Sequence, residues 1–320
     1  MPKVSIIIPT YNRAGTIVRA LESVLDQTFT NYEVIVIDDG STDNTRLALA
    51  PYLSKIKYIY QDNRGVSSAR NRGIRESKEE LIAFLDSDDV WLPRKLEKQV
   101  EFLVSNRKVF ILACLAEGDT IDPKHLKMRK AQNQFLIFLE TPFPENVSRY
   151  LVRKECFEKC GLFDPSLPRS EDWELWLRFI KKGFRFDFVE EPLVRYGISP
   201  ASLSKNLVTL LQGNLHIKQK HVDSISNPLK RLWIGSKFLA RTYSILSWNY
   251  GLSGDRKKGY VYILKSLILN PIGPRTIDRI KFLLFLILSN LHLVQLFISL
   301  HLMRGTDLFP KRTEEAPKKP

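Results

Sequence analysis

The chain has 320 residues and is rich in basic side chains, with 49 lysines and arginines against 35 acidic residues and a formal net charge of +14. Hydrophobic residues make up 44% and charged residues 26%, which is ordinary for a globular protein and excludes a disordered or fibrous chain. Three cysteines are too few for a disulfide framework, so a reduced, cytoplasmic setting is expected. No signal peptide is predicted, because the first apolar run is very short.

The positive charge is concentrated towards the C-terminus. From Lys205 onwards there are 19 basic and 6 acidic residues, a net of +13, whereas residues 1–204 carry a net of +1. We therefore predict two regions with different partners. Residues 1–204 would form one domain and residues 205–305 a basic helical region. The charged, proline-containing tail over residues 306–320 is expected to be disordered.

The first part of the chain alternates between short apolar runs and amphipathic segments. The runs have strand length, and the segments between them have helical spacing. This alternation is typical of an α/β fold with right-handed βαβ units and a mostly parallel central sheet flanked by helices. The first helix is predicted from Asn12 to Gln27, with Asn12 as its N-cap. The four predicted strands are Val4–Ile8, Glu33–Ile37, Ile56–Tyr60 and Leu81–Leu85.

Later segments are mostly helical in pattern. A strongly amphipathic helix is predicted over Glu171–Lys182, capped by Ser170. Trp173 and Trp176 lie on its apolar side and are expected to be core residues rather than a platform for a sugar. Beyond Ser204 the composition shifts to helices rich in lysine and arginine. Those helices are predicted over Leu207–Val222, Leu229–Tyr250 and Arg256–Leu269.

The segment Phe282–Met303 runs for 22 residues without a formal charge. Its length suits a membrane span, but polar residues interrupt it. Three of them, His292, Gln295 and Ser299, fall on one side of a helical wheel. A helix in the membrane interface, a helix in a soluble core and a true span all remain open as interpretations.

Three carboxylates, Asp86, Asp88 and Asp89, directly follow the fourth predicted strand. A cluster of carboxylates beside a buried strand needs a positive compensator, and a divalent cation with oxygen ligands is the natural one. Open α/β sheets also bind their ligands at the carboxyl ends of their strands. A solvated acidic turn that caps the next helix is the alternative interpretation.

Five short motifs occur in a fixed order, each at a predicted strand end or helix start. They are PTYNR at 9–13, DDGS at 38–41, NRG at 63–65 with ARNRG at 69–73, DSDD at 86–89 and ED at 171–172. Together they resemble the family 2 glycosyltransferases, and the resemblance covers about residues 3–203. It implies the GT-A fold, a Rossmann-like nucleotide-sugar-binding fold, and an inverting transfer that depends on Mn²⁺ or Mg²⁺.

The resemblance also implies roles for individual residues. Asp88 would be a direct metal ligand, and Asp86 would contact the metal or the ribose of the donor. Asp89 would position these two residues without binding the metal itself. Asp39 would hydrogen-bond the nucleotide base. Because a carboxylate there accepts the imide N–H of uracil or thymine, a UDP- or dTDP-sugar is the expected donor.

Four further positions would complete the donor site. By resemblance, Pro9, Thr10 and Tyr11 line the pocket for the base and the ribose. Arg70 is a candidate contact for the diphosphate of the donor.

Transfer also needs a base that takes the proton of the acceptor hydroxyl. Asp172 fits this role by resemblance, and its place at the start of a helix would keep it ionised. Ordinary first-turn acids are the alternative interpretation. Many relatives carry a histidine in the loop after this helix, but Val194–Pro200 has none. Either Arg195 or Ser202 replaces its contact, or metal binding is weaker.

The sequence therefore predicts an enzyme that moves a sugar to a hydroxyl of a glycan or lipid-linked acceptor. A nucleotidyltransferase is a second hypothesis, but it would need a basic, glycine-rich triphosphate loop, which Pro9–Arg13 is not. The third is a non-catalytic protein on a degenerate GT-A fold that binds polyanions or membranes. Few aromatic residues interleave with the basic ones, so anionic lipid is favoured over nucleic acid. The basic region is expected to dock on the cytoplasmic face of the membrane.

Overall fold

The chain folds into two compact units, Met1–Leu203 and Ser204–Pro320. The structure is a computed structural model. The described residues are 3–121, 123–140, 146–197, 207–272 and 276–290.

The first unit is built on one mixed, eight-stranded sheet. Its strands are β1 (Val4–Thr10), β2 (Tyr32–Asp38), β3 (Lys57–Tyr60), β4 (Leu81–Phe84), β5 (Val90–Trp91), β6 (Val109–Ala116), β7 (Leu151–Arg153) and β8 (Arg185–Arg195). Their order across the sheet is β3-β2-β1-β4-β7-β6-β8-β5. The first four strands pair in parallel, and β7 runs antiparallel to β4 and β6. The predicted α/β fold with a largely parallel sheet is confirmed.

Helices cover both faces of this sheet. They are α1 (Ile17–Leu25), α2 (Thr45–Leu49), α3 (Val66–Glu76), α4 (Lys95–Ser105), α5 (Pro123–Lys130), α6 (Phe135–Glu140), α7 (Glu155–Cys160) and α8 (Glu171–Lys182). The predicted helix over Glu171–Lys182 is confirmed, and a 3-10 turn over Val147–Arg149 precedes β7.

Strand β1 lies within the core and packs on both faces. Val4, Ile6 and Ile8 belong to one apolar cluster with residues of α1 and α4, whereas Ile7 packs against α3 on the other face. Gly73 permits this second contact, because a Cβ there would lie 2.4 Å from Cγ2 of Ile7. The glycine of the ARNRG motif is therefore a packing residue between helix and strand.

Of the two predicted helix caps, Asn12 is wrong and Ser170 is confirmed in position only. Helix α1 begins at Ile17, and Asn12 adopts a positive φ of 51° well before it. The side-chain oxygen of Asn12 accepts the backbone N–H of Thr42 at 2.8 Å, so it ties the loop after β1 to the loop after β2. Ser170 occupies the N-cap position of α8, but its side chain makes no capping hydrogen bond.

The second unit is helical throughout its described residues. Its helices are α9 (Leu207–Asp223), α10 (Pro228–Leu252), α11 (Arg256–Leu269) and α12 (Thr276–Asn290). Helices α10 and α11 form an antiparallel hairpin, because Ser247 Oγ donates to the Gly259 carbonyl and Ser266 Oγ to the Ala240 carbonyl. The three helices predicted before residue 270 are confirmed.

Only the first part of the uncharged segment Phe282–Met303 is described, as the end of α12. Residues 291–303 and the predicted tail over 306–320 lie outside the described residues. In the part of the chain that is described, no helix combines the length and the apolarity that a membrane span requires.

We expect Gly73→Val to destabilise the first unit, because the added side chain meets Ile7 across the helix–strand contact. Overpacking of this kind lowers the free energy of unfolding by about 1–3 kcal/mol. Gly15→Val is the matched control, since no atom lies within 4 Å of a Cβ built at Gly15. Urea unfolding followed by tryptophan fluorescence measures both, and equal midpoints would contradict the close contact.

Candidate active site

The residues predicted to bind the donor gather at one edge of the sheet. Strands β1, β2 and β4 are parallel neighbours, so Thr10, Asp39 and Asp86 all lie at the edge where these strands end. The backbone N–H of Asp39 donates to the Thr10 carbonyl at 2.8 Å. Ligands of open α/β sheets bind at this edge.

The first strand contributes three candidate residues with different exposures. Pro9 and Thr10 are buried at the end of β1, whereas Tyr11 is exposed. The hydroxyl of Thr10 is buried and has no hydrogen-bond partner among the described residues. A buried polar atom in that situation is destabilising unless a ligand or water satisfies it, which fits a donor-binding position.

Asp39 holds the loop that precedes α3. Its carboxylate is buried and accepts three hydrogen bonds, from Gln61 Nε2 at 2.7 Å, from Arg64 N–H at 3.0 Å and from Gly65 N–H at 2.8 Å. Gly65 has a φ of 85°, which a side chain would disfavour. The NRG motif is thus explained by the backbone donors that it offers to Asp39, a role that the sequence did not reveal.

Asp89 fixes the DSDD turn from inside the protein. Its Oδ2 accepts from Asn146 Nδ2 and from Ser148 Oγ, each at 2.7 Å, and its Oδ1 accepts from Gly197 N–H at 3.0 Å. Burial, followed by the charge of Asp86, raises the pKa of Asp89 to about 6. Because its oxygens are engaged in this way, Asp89 positions the turn.

Asp86 and Asp88 are the two partly exposed carboxylates of the turn. Burial and the charge of Asp86 raise the pKa of Asp88, and the guanidinium of Arg13 compensates only from 3.7 Å. The described residues contain no group of three or more metal-ligating side chains arranged to hold an ion alone. Two carboxylates suit a hard divalent cation that takes its other ligands from phosphate and water, so these residues fit a donor-bound metal.

Arg70 connects this turn to the start of α8. Its Nη2 donates to Asp86 Oδ1 at 2.8 Å, and its Nη1 donates to Glu171 Oε1 at 2.6 Å. Burial favours loss of the proton, but the charges of Asp86 and Glu171 outweigh it and raise the pKa of Arg70. Arg70, which was predicted to contact the diphosphate, therefore already binds two carboxylates. Its Nε has no hydrogen-bond partner among the described residues.

Asn71, the next residue of the motif, positions Phe163, whose ring packs against the guanidinium of Arg70. Asn71 Nδ2 donates to the Phe163 carbonyl at 2.8 Å, and Phe163 N–H donates back to Asn71 Oδ1 at 2.9 Å. The Phe163 ring then lies 5.4 Å from the guanidinium of Arg70. The sequence motifs did not predict a role for either residue, although Asn71 stands directly beside Arg70 in the ARNRG motif.

Asp172 lies in the first turn of α8, beside the Glu171 that Arg70 binds. Asp172 as a whole residue is partly exposed to solvent, but its carboxyl group is closely surrounded by protein atoms. Burial, then the charge of Glu171, raises the pKa of Asp172 to about 7, against the opposing charge of Arg70. The helix start was expected to keep Asp172 ionised, but burial instead shifts its pKa towards the protonated form.

The two tryptophans of α8 are core residues, as predicted. Both are buried; Trp173 Nε1 donates to the Phe138 carbonyl at 2.8 Å. Trp176 stacks on Tyr150 with 4.4 Å between ring centroids. They anchor the helix that carries Asp172.

The loop after β8 begins directly against the DSDD turn. A Cβ at Gly197 would lie 1.9 Å from the Asp88 carbonyl oxygen, so only glycine fits there. Arg195, one candidate replacement for the missing histidine, instead pairs with Glu117 at 2.6 Å on the surface. Ser202, the other candidate, lies outside the described residues.

Comparison with known proteins defines the family. The sequence model of Glycosyl transferase family 2 matches residues 5–161. The putative teichuronic acid biosynthesis glycosyltransferase TuaG of Bacillus subtilis is 32% identical, over 64% of this chain and 82% of that protein. WfgD of Escherichia coli, a UDP-Glc:alpha-D-GlcNAc-diphosphoundecaprenol beta-1,3-glucosyltransferase, is 30% identical over 81% of this chain and 96% of that protein. The chain belongs to glycosyltransferase family 2 and is a glycosyltransferase.

Solved structures agree on the fold. Staphylococcus aureus TarS 1–349 in complex with UDP-GlcNAc matches 92% of this chain and 89% of that chain with a TM-score of 0.65 at 18% identity. The mannosyltransferase PcManGT from Pyrobaculum calidifontis, in complex with GDP-Man and Mn²⁺, matches with a TM-score of 0.57 at 17% identity. The chain spans 55% of a longer TarS chain. The predicted GT-A fold is confirmed.

We expect Gly197→Ala to weaken donor binding, because its methyl group would displace the Asp88 backbone. A displacement of about 1 Å in a binding site costs on the order of tenfold or more in affinity or rate. Titration calorimetry with a UDP-sugar and Mn²⁺ measures this effect. Gly15→Ala, at an open position, should bind like the wild type. Unchanged affinity in Gly197→Ala would contradict the role of this glycine.

Proposed function

We propose that this enzyme transfers a sugar from a UDP- or dTDP-sugar to a hydroxyl of a glycan or lipid-linked acceptor, with inversion and with Mn²⁺ or Mg²⁺. One observation carries the proposal. A chain of contacts runs from Asp86 through Arg70 to Glu171, next to the Asp172 carboxyl with its raised pKa. These contacts support a single site in the first unit, Met1–Leu203, at which donor and acceptor would meet.

The donor end of the site supports a metal-bound diphosphate. Asp86 and Asp88 would hold the cation, which would neutralise the charge that develops on the leaving diphosphate. Thr10 would offer its buried hydroxyl to the nucleoside. Asp39, at the same edge, would hydrogen-bond the nucleotide base. The UDP-Glc in the name of WfgD and the UDP-GlcNAc bound to TarS favour a uridine donor.

Asp172 is the better base of the two acids that begin α8. Glu171 accepts from the Arg70 guanidinium at 2.6 Å, so its carboxylate is already engaged. Asp172 has a pKa raised to about 7, which is close to the optimum for a group that takes a proton near neutral pH. As the acceptor oxygen bonds to the anomeric carbon, the bond from that carbon to the diphosphate oxygen breaks and the nucleoside diphosphate leaves, while the acceptor proton passes to Asp172. A single displacement of this kind inverts the configuration.

The acceptor side of the proposal rests on relatives and on charge. WfgD acts on a sugar linked to diphosphoundecaprenol, and TuaG is named for teichuronic acid biosynthesis. We infer an acceptor of the same class, a growing cell-surface glycan or its lipid-linked precursor. The basic region over residues 205–305 would contact the cytoplasmic membrane face where such an acceptor lies, because its charge suits anionic lipid.

We expect Asp88→Asn to abolish metal-dependent turnover, because the amide removes a negative ligand from the cation. The measurement is Mn²⁺-dependent release of UDP from a panel of UDP-sugars, with a loss of about 10²-fold or more. Asp223→Asn, at an exposed position ending α9, is the control and should behave like the wild type. Metal-dependent release that survives in Asp88→Asn would refute the assigned metal ligand.

We expect Asp172→Asn to lower kcat by about 10²–10⁴-fold while donor affinity changes little. The base works only when ionised, so wild-type kcat/KM should rise with pH through the region near 7 and then level off. Asp172→Glu should retain this rise at reduced rate, and Asp172→Asn should lose it. A pH profile without the rise in the wild type, or an active Asp172→Asn, would exclude Asp172 as the base.

A further inference from the structure

The second unit exposes an unusual amount of apolar surface. Among the described residues, 14 of the 23 exposed large apolar side chains lie in this unit, although it is the smaller of the two. Soluble monomers rarely leave contiguous apolar surface uncovered, and such surface marks a contact with a partner or a membrane. The location of these side chains and the charges around them indicate the kind of partner they suit.

The beginning of α10 carries one such cluster, here called the α10 tip and defined as residues 229–233. Leu229 is 79% exposed, and Leu232 and Trp233 are also exposed. Positions three and four apart share one side of a helix, so these three side chains form one ridge. Asn227 caps the helix by accepting the Lys230 N–H at 2.9 Å, which fixes the ridge at a well-formed helix start.

The end of α11 reaches towards the same end of the hairpin. Ser266 Oγ donates to the Ala240 carbonyl at 2.6 Å, which places this part of α11 two turns from Trp233, or about 10 Å along α10. Because the hairpin is antiparallel, residues after Ser266 continue towards the α10 tip. Ile268 and Ile272 follow there, and Ile272 is 95% exposed.

The start of α12 joins them. Arg279 Nη1 donates to the Ser266 carbonyl at 3.0 Å, so this first turn lies beside the end of α11. Ile277, two residues earlier in the same turn of α12, is exposed. Three helix ends therefore present apolar side chains at one end of the unit, called the apolar end. It comprises Leu229, Leu232, Trp233, Ile268, Ile272 and Ile277.

The surroundings of the apolar end are basic. Helix α10 carries Lys230 and Arg231 in its first turn and Lys237 about two turns later, with no acid, and α12 adds one acid, Asp278, beside its own basic residues. Lys230, Arg231 and Lys237 are exposed on α10, and Lys237 Nζ lies 5.7 Å from the ring centroid of Trp233. An occupant of this end has to be apolar at its centre and negative around it.

An anionic phospholipid surface meets both requirements. Leucine and isoleucine side chains enter the acyl boundary, tryptophan prefers the headgroup level, and lysine and arginine bind anionic headgroups. A second copy of the chain would instead bring an equally positive surface, and like charges at an interface are repulsive. Charge complementarity thus favours lipid over self-association.

We propose that the apolar end docks this enzyme on an anionic phospholipid membrane, with the α10 tip as its inserted anchor. This inference rests on the membrane contact in the proposed function and names the surface that makes it. The anchor is a set of helix ends that enters only the interface, and it needs no membrane-spanning helix. Lys230 and Arg231 would bind headgroups beside it.

Flotation of the full-length protein with vesicles tests the proposal. Wild type should float with vesicles of phosphatidylcholine mixed with phosphatidylglycerol and stay behind with phosphatidylcholine alone. Leu229→Ser/Trp233→Ser and, separately, Lys230→Gln/Arg231→Gln should each lower binding by about tenfold or more. Leu252→Ser is the matched control, because Leu252 is a 65% exposed leucine at the opposite end of α10. It should bind like the wild type.

Several results would overturn the proposal. It fails if the wild-type protein does not float or binds neutral vesicles equally well. It also fails if the tip variants bind like the wild type, or if Leu252→Ser loses as much binding as they do. A wild-type dimer that the tip variants dissolve, without vesicle binding, would identify a second copy as the occupant. UDP release in solution, measured on the same proteins, reads the proposed catalytic function alone. Equal helical circular dichroism shows that the variants fold.

Discussion

One buried guanidinium, that of Arg70, is the interaction on which the active site depends. It lies between Asp86 on the donor turn and Glu171 on the helix that carries Asp172. Three carboxyls this close would otherwise repel each other in a poorly hydrated place, and breaking a buried pair costs about 3–5 kcal/mol. Arg70 therefore holds two distant parts of the chain together and, in the proposed mechanism, engages Glu171 so that Asp172 is left as the base.

The carboxylates of the site divide into two groups by their surroundings. Asp39 and Asp89 are buried and accept several hydrogen bonds each, so they build loops. Asp86 and Asp88 remain partly exposed at the sheet edge, where a cation and a diphosphate can reach them. Burial thus separates the aspartates that hold loops from Asp86 and Asp88, the two proposed metal ligands.

Local patterns in the sequence were enough to predict the α/β fold. Apolar runs that alternate with helical spacing predicted the parallel strands, and acids directly after β4 predicted the edge at which the candidate site lies. Partners distant in the chain could not be predicted. Arg70 and Glu171 are 101 positions apart, and nothing local in either motif specifies their contact. The cap assigned to Asn12 failed for the same reason, because its partners lie on another loop.

The most direct measurement is a crystal structure of the enzyme with a non-hydrolysable UDP-sugar and Mn²⁺, with the metal located by anomalous scattering. The account predicts Mn²⁺ bound by the Asp88 carboxylate and the diphosphate, with the open face of the anomeric carbon directed to Asp172 across Arg70. A donor bound at another edge of the sheet, or an anomeric carbon turned away from Asp172, would contradict it.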